Sequence, residues 1–114
     1  MHEFSVAQEI LRIVEAERRR HGFATALVVR VRAGALSGID PASLEQAWEV
    51  ARQGTAADGS RIELELEEAS LACRACGATT PAERLPEACP SCGSRELRLV
   101  GGTSRLEVTS MEVE

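Results

Sequence analysis

Apolar residues recur at helical spacing near the start of the chain. Val6, Ala7, Ile10, Leu11 and Val14 fall on one face between Ser5 and about His21. Ser5 and Gln8 stand at capping-box spacing and Gly22 supplies a stop, so a first helix is predicted over that span. The next stretch, ALVVRVRAG, alternates instead: Leu27, Val29 and Val31 share one face, and Val28, Arg30 and Arg32 the other, the pattern of a strand. A second helix is predicted from Asp40 as N-cap and Pro41 at the first helical position, with Gly54 as its stop and Leu44, Ala47, Trp48 and Ala51 as its apolar stripe. RIELELE then sets Ile62, Leu64 and Leu66 against Glu63, Glu65 and Glu67, a strand with one wet face.

After Glu68 the periodicity breaks into a stretch where Cys, Gly and Pro cluster. Past GGT it resumes in SRLEVTSMEVE, with Leu106 and Val108 in one phase and Met111 and Val113 in the other, which predicts a β-bulge near Thr109 or Ser110. The expected fold is α+β: a small three-stranded sheet with two helices, completed by the C-terminal strand, and an inserted four-cysteine module resembling a zinc ribbon. Expected domain boundaries are residues 1–69 with 101–114 for the α+β domain and 70–100 for the cysteine module.

Composition narrows the function. At 114 residues the chain is one small domain or a domain with a smaller satellite. Its only bulky rings are Phe4, Phe23 and Trp48, so the core must be aliphatic. A net charge of −5 argues against general attraction to nucleic acid or to anionic membrane. No apolar run approaches the roughly 18 residues of a membrane span, and no signal-like segment opens the chain, so a cytoplasmic protein is expected. No nucleophile motif, phosphate loop or adenine-binding signature is present, and the chain is expected not to be an enzyme.

The cysteines Cys73, Cys76, Cys89 and Cys92 are spaced C-x2-C-x12-C-x2-C. Each C-x-x-C turn aims two thiolates at one point, and Gly77 and Gly93 can take the positive φ such a knuckle needs. Two knuckles complete a tetrahedron with no vacancy for substrate, which suits structural Zn(II) and excludes a metal-dependent hydrolase; iron also accepts four thiolates. A module whose sizeable apolar residues are only Leu71, Leu85, Leu97, Leu99 and Val100 cannot fold on burial alone, and metal binding would be its main source of order.

The first residues, Met-His-Glu, offer different chemistry. The Met1 amine, the His2 amide and the His2 imidazole can form fused chelate rings, with Glu3 adding a donor through its amide or its carboxylate. Such a planar nitrogen set favours Ni(II) or Cu(II) over Zn(II). It requires that Met1 be neither removed nor extended.

Taken together, MHEFSVAQEI, GTAADGSRIELELEEASLACRACG, CPSCGSRELRLV and LEVTSMEVE resemble the HypA/HybF family of hydrogenase-maturation nickel metallochaperones over nearly the whole chain. The resemblance implies a Ni(II) cargo site at His2, Glu3 and the Met1 amine, and structural Zn(II) at Cys73, Cys76, Cys89 and Cys92. It also implies delivery of nickel to the large subunit of [NiFe] hydrogenase, with a hydrogenase-maturation GTPase as partner and urease maturation proteins as further partners. One departure is that GATTPAERLPEA, between the knuckles, lacks the expected aromatic residue, with Leu85 in its place. Protons compete with nickel for the imidazole, so affinity is expected to fall between about pH 8 and pH 5.5.

Other polar residues read more simply. Asp40 is a helix cap rather than a ligand, His21 a complement to the helix dipole, and Arg18, Arg19 and Arg20 a solvated helix face. The competing reading is a zinc-ribbon adaptor that binds protein or nucleic acid without nickel. A nucleic-acid face would need aromatic residues among its cations, and this module sets Arg74, Arg84, Arg95 and Arg98 against Glu83, Glu87 and Glu96 with no aromatic residue.

Overall fold

The structure is a computed structural model and describes residues 2–81, 86–102 and 106–114. Met1, Glu83, Arg84 and Leu85, all named above, lie outside the described residues. The chain divides into two compact units, one formed by Met1–Arg32, Ile39–Glu65 and Glu107–Glu114 and the other by Ala33–Gly38 and Leu66–Leu106.

In the first unit, helix α1 (His2–His21) begins three residues earlier than the capping-box reading places it, so Ser5 lies within the helix rather than at its cap. The longer helix buries Glu3, Ala7, Ile10 and Val14, spaced 4, 3 and 4 residues apart along one stripe. It ends as expected at Gly22, whose φ of 74° lets its N–H turn back to the Arg18 carbonyl. Helix α2 (Pro41–Ala51) packs against α1 and buries Leu44 and Trp48. Asp40 caps it, its carboxylate accepting from the Ser43 N–H at 2.9 Å and the Ser43 hydroxyl at 2.7 Å.

Strands β1 (Ala26–Gly34) and β2 (Arg61–Glu67) match the predicted spans. With the C-terminal strand β6 (Glu107–Val113) they form a sheet in the order β2-β1-β6. The β1–β6 pairing is antiparallel and runs Arg30↔Ser110 to Val31↔Val108, leaving Thr109 as the bulged residue that the change of phase predicted. A second register shift between Ala26 and Val28 alters the expected facing of β1: Leu27 is 42% exposed, whereas Val28 is buried with Val29 and Val31. Beneath this layer the Trp48 indole N–H donates to the hydroxyl of Ser60, 3.0 Å away, and Ser60 is fully buried.

The second unit carries a small sheet of its own that periodicity did not reveal. Strands β3 (Ser70–Cys73), β4 (Thr79–Pro81) and β5 (Leu97–Gly101) pair in the order β4-β3-β5, antiparallel throughout. A 3₁₀ turn at Ala35–Ser37 is tied to the same unit by the Leu36 N–H, which donates to the Gly102 carbonyl.

Candidate metal centres

Both cysteine knuckles are built alike. The Gly77 N–H donates to the Cys73 carbonyl at 2.9 Å and the Gly93 N–H to the Cys89 carbonyl at 2.8 Å, with φ of 76° and 78° at the two glycines. The Cys73 N–H in turn reaches the Ala78 carbonyl, and the Cys89 N–H the Ser94 carbonyl. Each turn thereby folds its second cysteine back over its first. Strand β3 delivers Cys73, and the Arg74 N–H bonded to the Glu96 carbonyl brings the two knuckles together.

The four Sγ atoms all lie within 4.8 Å of one another. Cys73 and Cys92 stand 3.6 Å apart and Cys76 and Cys89 3.8 Å, far longer than a disulfide bond. A tetrahedron with metal–sulfur bonds of about 2.3 Å has edges of roughly 3.8 Å. The set is therefore a four-cysteine metal site. Cys73 and Cys89 are buried and Cys76 and Cys92 exposed, so the site sits at a surface with one side walled by protein.

The surroundings favour thiolate at one corner and oppose it at another. The Cys92 and Ser91 N–H groups point at the Cys89 sulfur and hold its thiol down to about 6. Cys73 is lowered as well, chiefly by the Cys76 N–H. The Ser94 N–H favours the Cys92 thiolate, but the neighbouring Cys73 sulfur and desolvation outweigh it, and Cys92 is pushed up to about 12. Four sulfurs this close cannot all carry charge without a cation among them.

The other predicted site residues meet at the start of α1. His2 is the first helical residue described and its side chain is 54% exposed. Its Nδ1 lies 3.8 Å from the Glu3 carboxylate. Glu3 is only 7% exposed, and its Oε2 accepts the Asp40 N–H at 3.1 Å, which draws its carboxyl down to about 2. Sequence reasoning missed this engagement. The signal was present in the spacing of Glu3, Ala7, Ile10 and Val14, but an acidic residue beside the terminus reads first as a polar tail.

The sequence matches the family described as hydrogenase/urease nickel incorporation, metallochaperone, hypA over residues 1–113. The chain belongs to the HypA family. HypA maturation factors are metallochaperones and not enzymes. Hydrogenase maturation factor HypA of Cereibacter sphaeroides is 41% identical over 115 residues, and that of Acidithiobacillus ferrooxidans 37% identical over 114, each match covering all of both chains. Among solved structures, the solution structure of the Ni metallochaperone HypA from Helicobacter pylori superposes with a TM-score of 0.65 at 22% identity, covering 99% of this chain and 97% of that one. A second HypA solution structure gives a TM-score of 0.69 at 22% identity over 100% and 97% of the two chains. These neighbours share the fold of the present chain.

Proposed function

We propose that this protein carries Ni(II) at the start of α1, on the Met1 amine, the His2 amide and imidazole and the backbone nitrogen of Glu3, and passes it to the large subunit of [NiFe] hydrogenase. The observation that carries this reading is the exposed His2 imidazole on the first turn of a helix, in a chain of the HypA family. The first N–H groups of a helix have no intrahelical acceptor, so recruiting backbone nitrogens there breaks no helix ladder. The same turn is the positive end of the helix dipole, which opposes a bound cation and keeps the cargo releasable.

The Glu3 carboxylate, already bonded to the Asp40 N–H, holds the turn in place and leaves backbone nitrogen as the better fourth donor. Cys73, Cys76, Cys89 and Cys92 hold Zn(II), which supplies structural cross-linking and no chemistry. Release proceeds by ligand exchange when a partner docks. A hydrogenase-maturation GTPase supplies the nucleotide-driven step, urease maturation proteins are further recipients, and the setting is the cytoplasm. No described helix is long and apolar enough to cross a membrane.

The experiment is a Ni(II) titration by calorimetry and by the planar d–d absorption band. It compares the native chain with His2→Ala and with a copy extended by Gly-Ser before Met1. One Ni(II) bound with the planar spectrum by the native chain alone is expected. Equal binding by all three places nickel elsewhere, and binding by none leaves the zinc-ribbon adaptor as the account of the fold.

A further inference from the structure

Strand β6 has β1 on one side and, among the described residues, no strand on the other. Beside this open edge runs a groove of about 610 Å³, with Ile13, Phe23, Val108, Met111 and Val113 as its apolar walls and the paired Glu17 and His21 of α1 as a polar one. Val113 is 43% exposed there. An unpaired edge next to a groove with apolar walls is the arrangement that strand addition uses: main-chain bonds extend the sheet while alternate side chains enter the groove.

Charge across the sheet says what the added strand must carry. Arg30 of β1 donates to Glu63 of β2 at 3.0 Å and, on its other side, to Glu112 of β6. Arg32 donates to Glu107 of β6 at 2.7 Å. Glu107 and Glu112 are five positions apart, which in an unbroken strand would put them on opposite faces. The bulge at Thr109 resets the phase, so both reach arginines of β1. Each rung of this ladder ends in a carboxylate at the open edge, and the alternation of sign continues only if the next strand brings cations.

We propose that the β6 edge and its groove receive an extended segment of a partner protein in which apolar residues alternate with arginine or lysine. Apolar side chains of the segment fill the space between Ile13 and Val113, and its cations extend the two rungs beyond Glu107 and Glu112. A second copy of this chain is opposed, because β6 laid against β6 sets one acidic row on another. The inference concerns a surface separate from the nickel-binding turn and stands whether or not nickel binds there.

The test uses the full chain and two synthetic peptides of roughly nine residues, one alternating valine with arginine and the other valine with glutamate. Amide hydrogen exchange across Glu107–Val113 is followed by NMR. The arginine peptide is expected to slow exchange along β6, with an affinity that weakens as salt is raised. The double substitution Glu107→Gln with Glu112→Gln is expected to weaken it about tenfold. Val113→Thr, a separate change in the groove that leaves the ladder intact, is expected to weaken binding too. Equal binding of both peptides, an unchanged affinity in both variants, or protection confined to other strands overturns the proposal. So does concentration-dependent protection of β6 in the absence of peptide, which would show a second copy on the edge.

Discussion

The Glu3 carboxylate at the start of α1 accepts the Asp40 N–H at the start of α2, 3.1 Å away. Asp40 uses its own carboxylate to cap α2 through Ser43, so the two acids join the first turns of both helices in series. A residue adjoining the terminus thereby sets the position of the turn that carries His2.

Replacing Glu3 separates two roles. Glu3→Ala removes the acceptor and is expected to lower the melting temperature, whereas Glu3→Gln keeps an acceptor oxygen and loses less. If the carboxylate positions the turn and does not bind metal, Glu3→Gln retains the planar Ni(II) spectrum. Thermal melts and nickel absorption on the same two variants check both points.

The same bond gives a pH dependence. Glu3 titrates at about 2 in the folded chain against an ordinary value of 4.5. Its contribution to stability is therefore complete above about pH 4.5 and is lost as pH falls towards 2. Carboxyl carbon shifts should show Glu3 ionised at pH 3.5, where an exposed glutamate is mostly protonated, and melting curves of Glu3→Gln should lack this part of the acid sensitivity.

Removing metal should act on one unit. With its four sulfurs clustered within 4.8 Å and few apolar residues to bury, the unit of β3, β4 and β5 is expected to depend on cross-linking by metal. A strong chelator, or Cys89→Ser, is expected to shift the amide resonances of these strands to unfolded positions while those of α1, α2 and β1 persist. Metal analysis of the untreated chain should give one zinc, and a colourless solution separates it from iron.

Gly102 is expected to tolerate no side chain. Its φ is +75°, and a Cβ there would stand 2.4 Å from the Cα of Ala69. Gly102→Ala combines a disfavoured backbone with a collision against main chain, and should cost about 1–3 kcal/mol or more. Urea unfolding of the second unit measures it. The same change at Gly93, where φ is +78° but the space is open, should cost less.

Ser60→Ala removes the acceptor of the buried Trp48 indole N–H. Leaving that donor unpaired should destabilise the first unit by about 1–3 kcal/mol, read from tryptophan fluorescence in urea. Trp48→Phe with Ser60→Ala, which removes donor and acceptor together, should cost less than the sum of the two single changes.

Local pattern was enough to give α2, β1, β2, the bulge at Thr109 and the clustering of four cysteines, because capping, alternation and knuckle spacing act over a few neighbouring residues. It also carried the family through the order of those motifs. Tertiary structure decided the rest. Whether Glu3 is a frayed tail or a buried tether depends on Asp40, 37 positions away, and no local propensity records that partner. The exposure of Leu27 follows from a register shift against β6, and the strands around the cysteines are too short for periodicity to reveal. The charge ladder from Glu63 through Arg30 to Glu112 exists only once distant segments lie side by side. Sequence states which side chains are available, and packing assigns their neighbours.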